Sequence, residues 1–447
     1  MRSLGILAAF LLSTACSSPV LTQPGHSWTS LTHGERNRYS ELVVPLPDGR
    51  VVFAGGALAG RVQRLVGTTE IFDPKTRSWE TLDEEPTLGT SQSAVLLRDG
   101  RILVVGGLSA FSGTTRGSAL ATVLSLDPGT GRWTPEQPLS VARSQLMLAL
   151  LADGRVLAAG GTTDSGVTDV TEIFDPQTGR WSRGPSLPAP RTLAQSLTFA
   201  DGRVLIVGGV GPSLGPSDPG FTPSGSDRHP LDRVVLQDSV VFDPTSQSWN
   251  AVAFPPAGYG LVFAEARPDG GIGGMIAALP PPSPDASRRG VPIVHPTTFF
   301  PFTLGSRLTK LVRGMQLPSP TDSVQGGVTE IASMGRGRLF ALTGSSTAPK
   351  GLIYDEPTDS WSATDTPPIA GSGFHAAYGL VGGRILVIGG GSIALFDPNP
   401  LPIRTPVREL TIASPELSPW LTSVAATLAL MVLFQLIWVR RPRRFKL

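Results

Sequence analysis

Residues 153–181 read DGRVLAAGGTTDSGVTDVTEIFDPQTGRW. The stretch holds two strands and their punctuation. Asp153-Gly154-Arg155 follows the apolar run Met147–Leu151, and Asp-Gly between apolar runs is a hairpin signal, read here as a type I′ turn. Val156–Ala159 closes on Gly160-Gly161, a pair suited to crowded packing where no side chain fits. A second apolar run ends at Phe174, and Asp175-Pro176-Gln177-Thr178-Gly179 then supplies turn chemistry. Pro presets φ, Asp and Thr bond nearby backbone, and Gly accepts the left-handed conformation. Trp181, seven residues after Phe174, opens the next strand with a large apolar plate. The unit is therefore expected to be a four-stranded antiparallel meander.

The unit recurs. Asp-Gly-Arg and Gly-Gly appear together at Asp48 and Gly55, Asp99 and Gly106, Asp153 and Gly160, and Asp201 and Gly208, with successive arginines 51, 54 and 48 residues apart. Weaker copies follow at Asp269-Gly270-Gly271, at Gly337-Arg338 and at Gly383-Arg384. The second element recurs from Phe72 to Trp79, Leu126 to Trp133, Phe174 to Trp181, Phe242 to Trp249 and Tyr354 to Trp361, the last with Glu356 displacing the proline. A four-stranded sheet buries too little alone, so units of about 50 residues must stack, and twisted sheets arranged radially close into a propeller.

These paired motifs resemble kelch repeats, and the resemblance covers residues 25–400. It implies an all-β, seven-bladed kelch-type β-propeller of the kind found in the central domain of galactose oxidase. Ring closure is read from the residues themselves. Phe396-Asp397-Pro398 has no tryptophan after it, and Trp28 has no Phe-Asp-Pro before it, so the segment around Trp28 is expected to complete the last blade. The fifth copy lacks a tryptophan; its candidate strands are Ile272–Leu279, Ile293–Phe302 and Leu308–Arg313. Seven blades are expected, with six as the alternative if that copy is an insertion.

Composition agrees with many turns and few long helices: 52 Gly and 42 Pro in 447 residues, against a usual combined share of roughly 12%. The single cysteine, Cys16, excludes an internal disulfide or a thiolate-based zinc site, and the five histidines show no ligand spacing.

The two ends read as targeting segments. Residues 1–15 form a signal peptide, with Arg2, an apolar run from Leu4 to Leu12 and small residues before Cys16. Leu12-Ser13-Thr14-Ala15-Cys16 resembles the lipobox of bacterial lipoproteins, which implies lipidation at Cys16, although Ser13 stands where leucine is usual. Residues 16–24 and 401–419 read as linkers. Residues 420–439 carry no charge and match the roughly 20 residues needed to span a bilayer as a helix. Trp420 and Trp438 lie at its ends, and the basic residues of 440–447 follow, which puts that tail in the cytoplasm. The propeller is then expected outside the cytoplasm, at the periplasmic or extracellular face of a bacterial cell envelope. Removing Arg2 and the five basic tail residues from the 37 Lys and Arg leaves 31 against 35 Asp and Glu, about −4, which offers nothing to nucleic acid.

For function, the connections between second and third strands are the long ones: Ala57–Gly67, Leu108–Ala121, Thr162–Asp169, Val210–Arg233 and Pro280–Val291. They emerge on one face together with the inter-blade links, and long loops carry binding. Candidate binding residues there are Arg61, Arg64, Phe111, Arg116, Asp164, Phe221, Arg228, His229, Arg288 and Arg289. Arg143 and Arg191, in the links, match the arginine that often opens a kelch strand. The Asp-Gly-Arg arginines are expected to be structural. No catalytic residue, metal site or cofactor is assigned. Galactose oxidase's copper site needs a Cys-Tyr crosslink, for which only Cys16 is available. Tyr259 and Tyr378 are placed in the core on inner strands. The expectation is a monomeric, membrane-anchored scaffold that binds an envelope protein or a glycan; the alternative is a carbohydrate-active hydrolase, lyase or epimerase working at the propeller axis.

Overall fold

The computed structural model describes residues 27–31, 38–39, 42–58, 64–82, 86, 88–109, 117–213, 233–236, 238–255, 259–267, 271–278, 298–304, 311–313, 328–345, 348–369, 375–389 and 392–398. Its backbone is seven four-stranded antiparallel sheets, each a consecutive meander except the last. Blade 1 is Leu42–Pro45, Val51–Ala54, Thr69–Asp73 and Ser78–Leu82. Blade 2 is Ser93–Leu96, Ile102–Val105, Val123–Asp127 and Arg132–Pro135. Blade 3 is Met147–Leu150, Val156–Ala159, Thr171–Asp175 and Arg180–Arg183. Blade 4 is Gln195–Thr198, Val204–Val207, Ser239–Asp243 and Ser248–Val252. Blade 5 is Tyr259–Ala266, Ile272–Ala278, Thr298–Leu304 and Leu311–Arg313. Blade 6 is Val328–Gly335, Arg338–Ser345, Ala348–Asp355 and Ser360–Ala363.

Blade 7 takes His375–Leu380, Arg384–Gly389 and Ser392–Asp397 from late in the chain and Ser27–Leu31 from its start, with Trp28 opposite Phe396. The ring is closed as expected: each blade's first strand touches the first strands of both neighbours, blade 7 touching blade 1. The fifth copy is a blade and not an insertion.

The seven-residue spacing has a register cause. It sets Phe72 opposite Trp79, Leu126 opposite Trp133, Phe174 opposite Trp181, Phe242 opposite Trp249 and Tyr354 opposite Trp361 on adjacent strands. The aromatic pairs lie 4.7–5.2 Å apart between ring centroids, worth about 0.5–1.5 kcal/mol each beyond area burial. In blade 5 the same register sets Leu304 opposite Leu311, again seven apart, so leucine stands at both positions. Each of the other five pairs faces the preceding blade. Phe174 and Trp181, for example, pack with Leu103 and Val105 of blade 2, while Phe72 and Trp79 pack with Tyr378, Leu386 and Leu395 of blade 7.

Two turn readings change. In blades 1 to 4 the Asp-Gly-Arg hairpin is not type I′: the glycine alone takes positive φ (86° to 96°), while Gly49 N donates to Leu46 O and Leu46 N to Arg50 O, as do their counterparts. This is a three-residue loop, a type I turn followed by a left-handed bulge residue. The aspartate accepts from the backbone N and the Nε of the arginine two residues on, at 2.7–3.1 Å in all four copies, so these arginines are structural, as expected. Blade 6 carries the two-residue form, with φ of 55° at Arg336 and 73° at Gly337. The Gly-Gly pair, in turn, answers to a crossing chain and not to the axis: a Cβ on Gly160 would lie 2.2 Å from Arg191 O in the link to the next blade.

Among the described residues no helix is long and apolar enough to cross a membrane. The expected signal peptide at 1–15, Cys16, the linkers, the span at 420–439 and the tail all lie outside the described residues.

Candidate functional site: the loop face

Three of the five long connections carry short ladders among the described residues. Ala57–Leu58 pairs with Arg64–Leu65 and with Arg38–Tyr39 of the incoming link; Thr162–Thr163 pairs with Gly166–Val167; Val210–Ser213 pairs with Arg233–Val235. The residue after Gly-Gly bridges the link in each of the first four blades: Ala57 to Tyr39, Leu108 to Thr90, Thr162 to Ser144 and Val210 to Thr192. Loops and links therefore share one face.

Around the loop-side end of the inner strands the backbone forms a belt. Ser91, Gln145 and Leu193 occupy one repeat position, and all three are left-handed, with φ of 55°, 56° and 58°. Gln145 N donates to Ser91 O at 3.2 Å and Leu193 N to Gln145 O at 3.3 Å, joining blades 2, 3 and 4 in series. The hydroxyl of Thr192 also donates to Gln145 O, at 3.0 Å. Non-glycine residues held left-handed carry strain that surrounding structure must support. Gln145 is 4% exposed, and its Oε1 has no hydrogen-bond partner.

Of the twelve residues expected to bind, Arg61, Phe111, Arg116, Phe221, Arg228, His229, Arg288 and Arg289 lie outside the described residues. Arg64 is placed in the three-stranded ladder by its backbone. Asp164 is exposed at the tip of the blade 3 hairpin, where its Oδ1 accepts from Ala119 N of blade 2 at 2.8 Å. That bond, with the contact between the blade 3 and blade 4 hairpins, makes the described crown continuous over three blades.

Arg143 and Arg191 are corrected. Both are fully buried and belong to the framework. Arg143 donates to Gly160 O and Val170 O at 2.8 Å and to Glu172 Oε1 at 2.9 Å, while Ser140 N donates to the other oxygen of Glu172. Burial pulls the Arg143 guanidinium down and Glu172 holds it up. Arg191 donates to Gly208 O and Asp238 Oδ2. Each guanidinium pins a blade's Gly-Gly backbone to the link before it. The belt at Ser91, Gln145 and Leu193 was missed by sequence reading, because no residue type is shared there; only the backbone conformation repeats.

Residues 148–188 match the Kelch motif family. The described residues form a kelch-type propeller. No curated protein matches the chain. Among solved structures, a fungal alcohol oxidase of the AA5 family in complex with copper is similar in fold, with a TM-score of 0.54 and 14% identity over 83% of this chain and 76% of that one. Among the described residues no three His, Cys, Asp or Glu side chains converge. Tyr354 is committed to Asp359 at 2.8 Å, and Tyr378 is buried in the seam between blades 7 and 1.

Proposed function

We propose that this kelch-type propeller is an interaction scaffold of the cell envelope, which binds a protein or a glycan through its loop face. The observation that supports this most is the crown itself. Loops of blades 2, 3 and 4 are tied to one another and to the links, which gives a preorganised surface with exposed polar tips such as Asp164. Preorganisation reduces the entropy lost on binding. Anchoring, through a lipid on Cys16 or a helix at 420–439, is the sequence-based part of the proposal, and so is a location outside the cytoplasm.

The test is capture. Full-length chain in mild detergent is presented with a glycan array and with envelope extract, beside a variant whose blade 3 loop tip, Asp164–Gly166, is replaced by three alanines. Retention by the wild type and loss by the variant, without release of cleaved or oxidised product, is the expected result. Product release would favour the enzymatic alternative, and equal retention by both would remove the loop face from the proposal.

A further inference from the structure

The second half of the ring departs from its own repeat at one place. In blade 5 the first strand carries Glu265 in the register position that Val44, Val95, Ala149, Leu197, Ala332 and Tyr378 fill in the other blades, all of them buried and none charged. Two residues on stands Arg267, where blades 1 to 4 put Leu46, Leu97, Leu151 and Phe199 in the core. Gly273 stands opposite Glu265 beside this arginine: a Cβ there would touch Arg267 Cδ and Nη1 at 3.4 Å, an ordinary contact. Glu356, the residue that separates Asp from Pro in the blade 6 turn, takes Arg267 Nη1 at 2.6 Å. Three departures from the pattern thus meet in one seam, and the arginine is committed to Glu356.

Glu265, 9% exposed, reaches from blade 5 toward the first strand of blade 6, where Ser333 donates to it. The same strand carries Glu330, 6% exposed, directed the other way and accepting from Ala377 N on the first strand of blade 7. We propose that blade 6 is seated between its neighbours by two neutral carboxylic acids, Glu265 on one side and Glu330 on the other, and that loss of their protons unseats it.

Burial favours the protonated form of both carboxyls, since an ionised carboxylate in such a place demands water or a counter-ion, and Arg267, the cation that favours the charge of Glu265, also bonds Glu356. Burial pushes Glu265 up to about 7, against Ser333 and Arg267, which favour its charge, and with Glu356, which opposes it. Burial pushes Glu330 well above the usual carboxylate range, with only the Ala377 amide favouring ionisation. The other titratable residues on the packed strands are Tyr259 on blade 5, Arg338 on blade 6 and His375, Tyr378 and Arg384 on blade 7. Arg384 is held by Asp397 and Tyr378 lies in the opposite seam. Lowering the proton concentration therefore loosens the two seams of blade 6 and leaves the apolar seams of blades 1 to 4 unchanged.

The experiment is hydrogen exchange of the full-length chain in mild detergent, from about pH 5 to about pH 10, corrected for intrinsic exchange. Protection of Val328–Gly335 is expected to fall about tenfold or more relative to Met147–Leu150 of blade 3. Glu265→Gln should remove the part of that fall centred near pH 7, and Glu330→Gln the part above it. A fall shared equally by blade 3, or one that persists in folded Gln variants, would overturn the proposal. Should a variant not fold, infrared spectroscopy of the wild type decides: a protonated-carboxyl band that disappears on alkalinisation together with blade 6 protection supports it, and absence of that band at about pH 5.5 refutes it.

Discussion

At the scale of single residues, the repeat imposes backbone conformations more strictly than side chains. The fourth residue after the turn aspartate is left-handed in blades 1 to 4 and 6, as Arg77, Gly131, Gly179, Gln247 and Asp359. Where it is glycine the conformation costs little; at Arg77, with φ of 59°, the Cβ opposes it. Arg77→Gly is expected to stabilise the chain by about 0.5–1 kcal/mol in urea unfolding, because relief of the left-handed strain exceeds the extra unfolded-state entropy of glycine. The backbone bonds of that turn, Arg77 N to Asp73 O at 2.7 Å and Lys75 N to Asp73 Oδ1 at 2.8 Å, do not use the arginine side chain. The aspartate is the signal a reader can find in the sequence, since its carboxylate makes a bond that only Asp or Asn makes well at that spacing. The left-handed residue four positions later is legible only where it is glycine.

Between elements, the charged clamp on the link differs from blade to blade: blade 4 keeps the arginine as Arg191 but has Val240 where blade 3 has Glu172, and its acid is Asp238. Blade 3 clamps its link with Arg143 and Glu172; the same register positions in blade 2 are Gly89 and Leu124, so both partners are replaced together. Removing one member strands the other in the core. Arg143→Ala is expected to cost about 3–5 kcal/mol. The double replacement Arg143→Gly with Glu172→Leu should cost less than the sum of its single changes, read as coupling in a double-mutant cycle. The seam between blades 5 and 6 has a different electrostatic signature. Glu265 rises from an ordinary value of 4.5 to about 7 in the folded chain, so the folded state holds the proton more tightly. Its contribution to stability is whole below pH 4.5, declines as pH rises and is gone above about 7. Thermal unfolding followed across that window should show the midpoint falling as pH rises, and Glu265→Gln should flatten the slope. None of this seam was read from the sequence, because Glu265, Arg267 and Glu356 look like ordinary surface charges until register places two of them at core positions.

Across the whole molecule, closure rests on five residues from the start of the chain. Ser27–Leu31 pairs with Ile393–Asp397, the Trp28 ring packs tilted against Phe396 and edge-on against Phe340, and its indole donates to Asp365 O at 2.9 Å. A chain lacking residues 27–31 is expected to expose the third strand of blade 7, lower the urea midpoint and become cleavable by protease within Ser392–Asp397; an unchanged cleavage pattern would contradict that role for the strand. This closure could be read beforehand, because an orphan tryptophan and an orphan Phe-Asp-Pro are complementary halves of one cross-strand pair. The sequence by itself determined the repeating meander, the positions of its hairpins and the aromatic ladder, since each depends on residues near one another along the chain and on the fixed alternation of a strand, whereas the choice of seven blades over six and the hairpin type came from the structure. Only the tertiary structure decided which arginines are buried clamps, that Ser91, Gln145 and Leu193 share a left-handed belt, and that Glu265 and Glu330 flank one strand. Those facts depend on the rotation of each blade against the next, and contacts made across that angle leave no period in the chain.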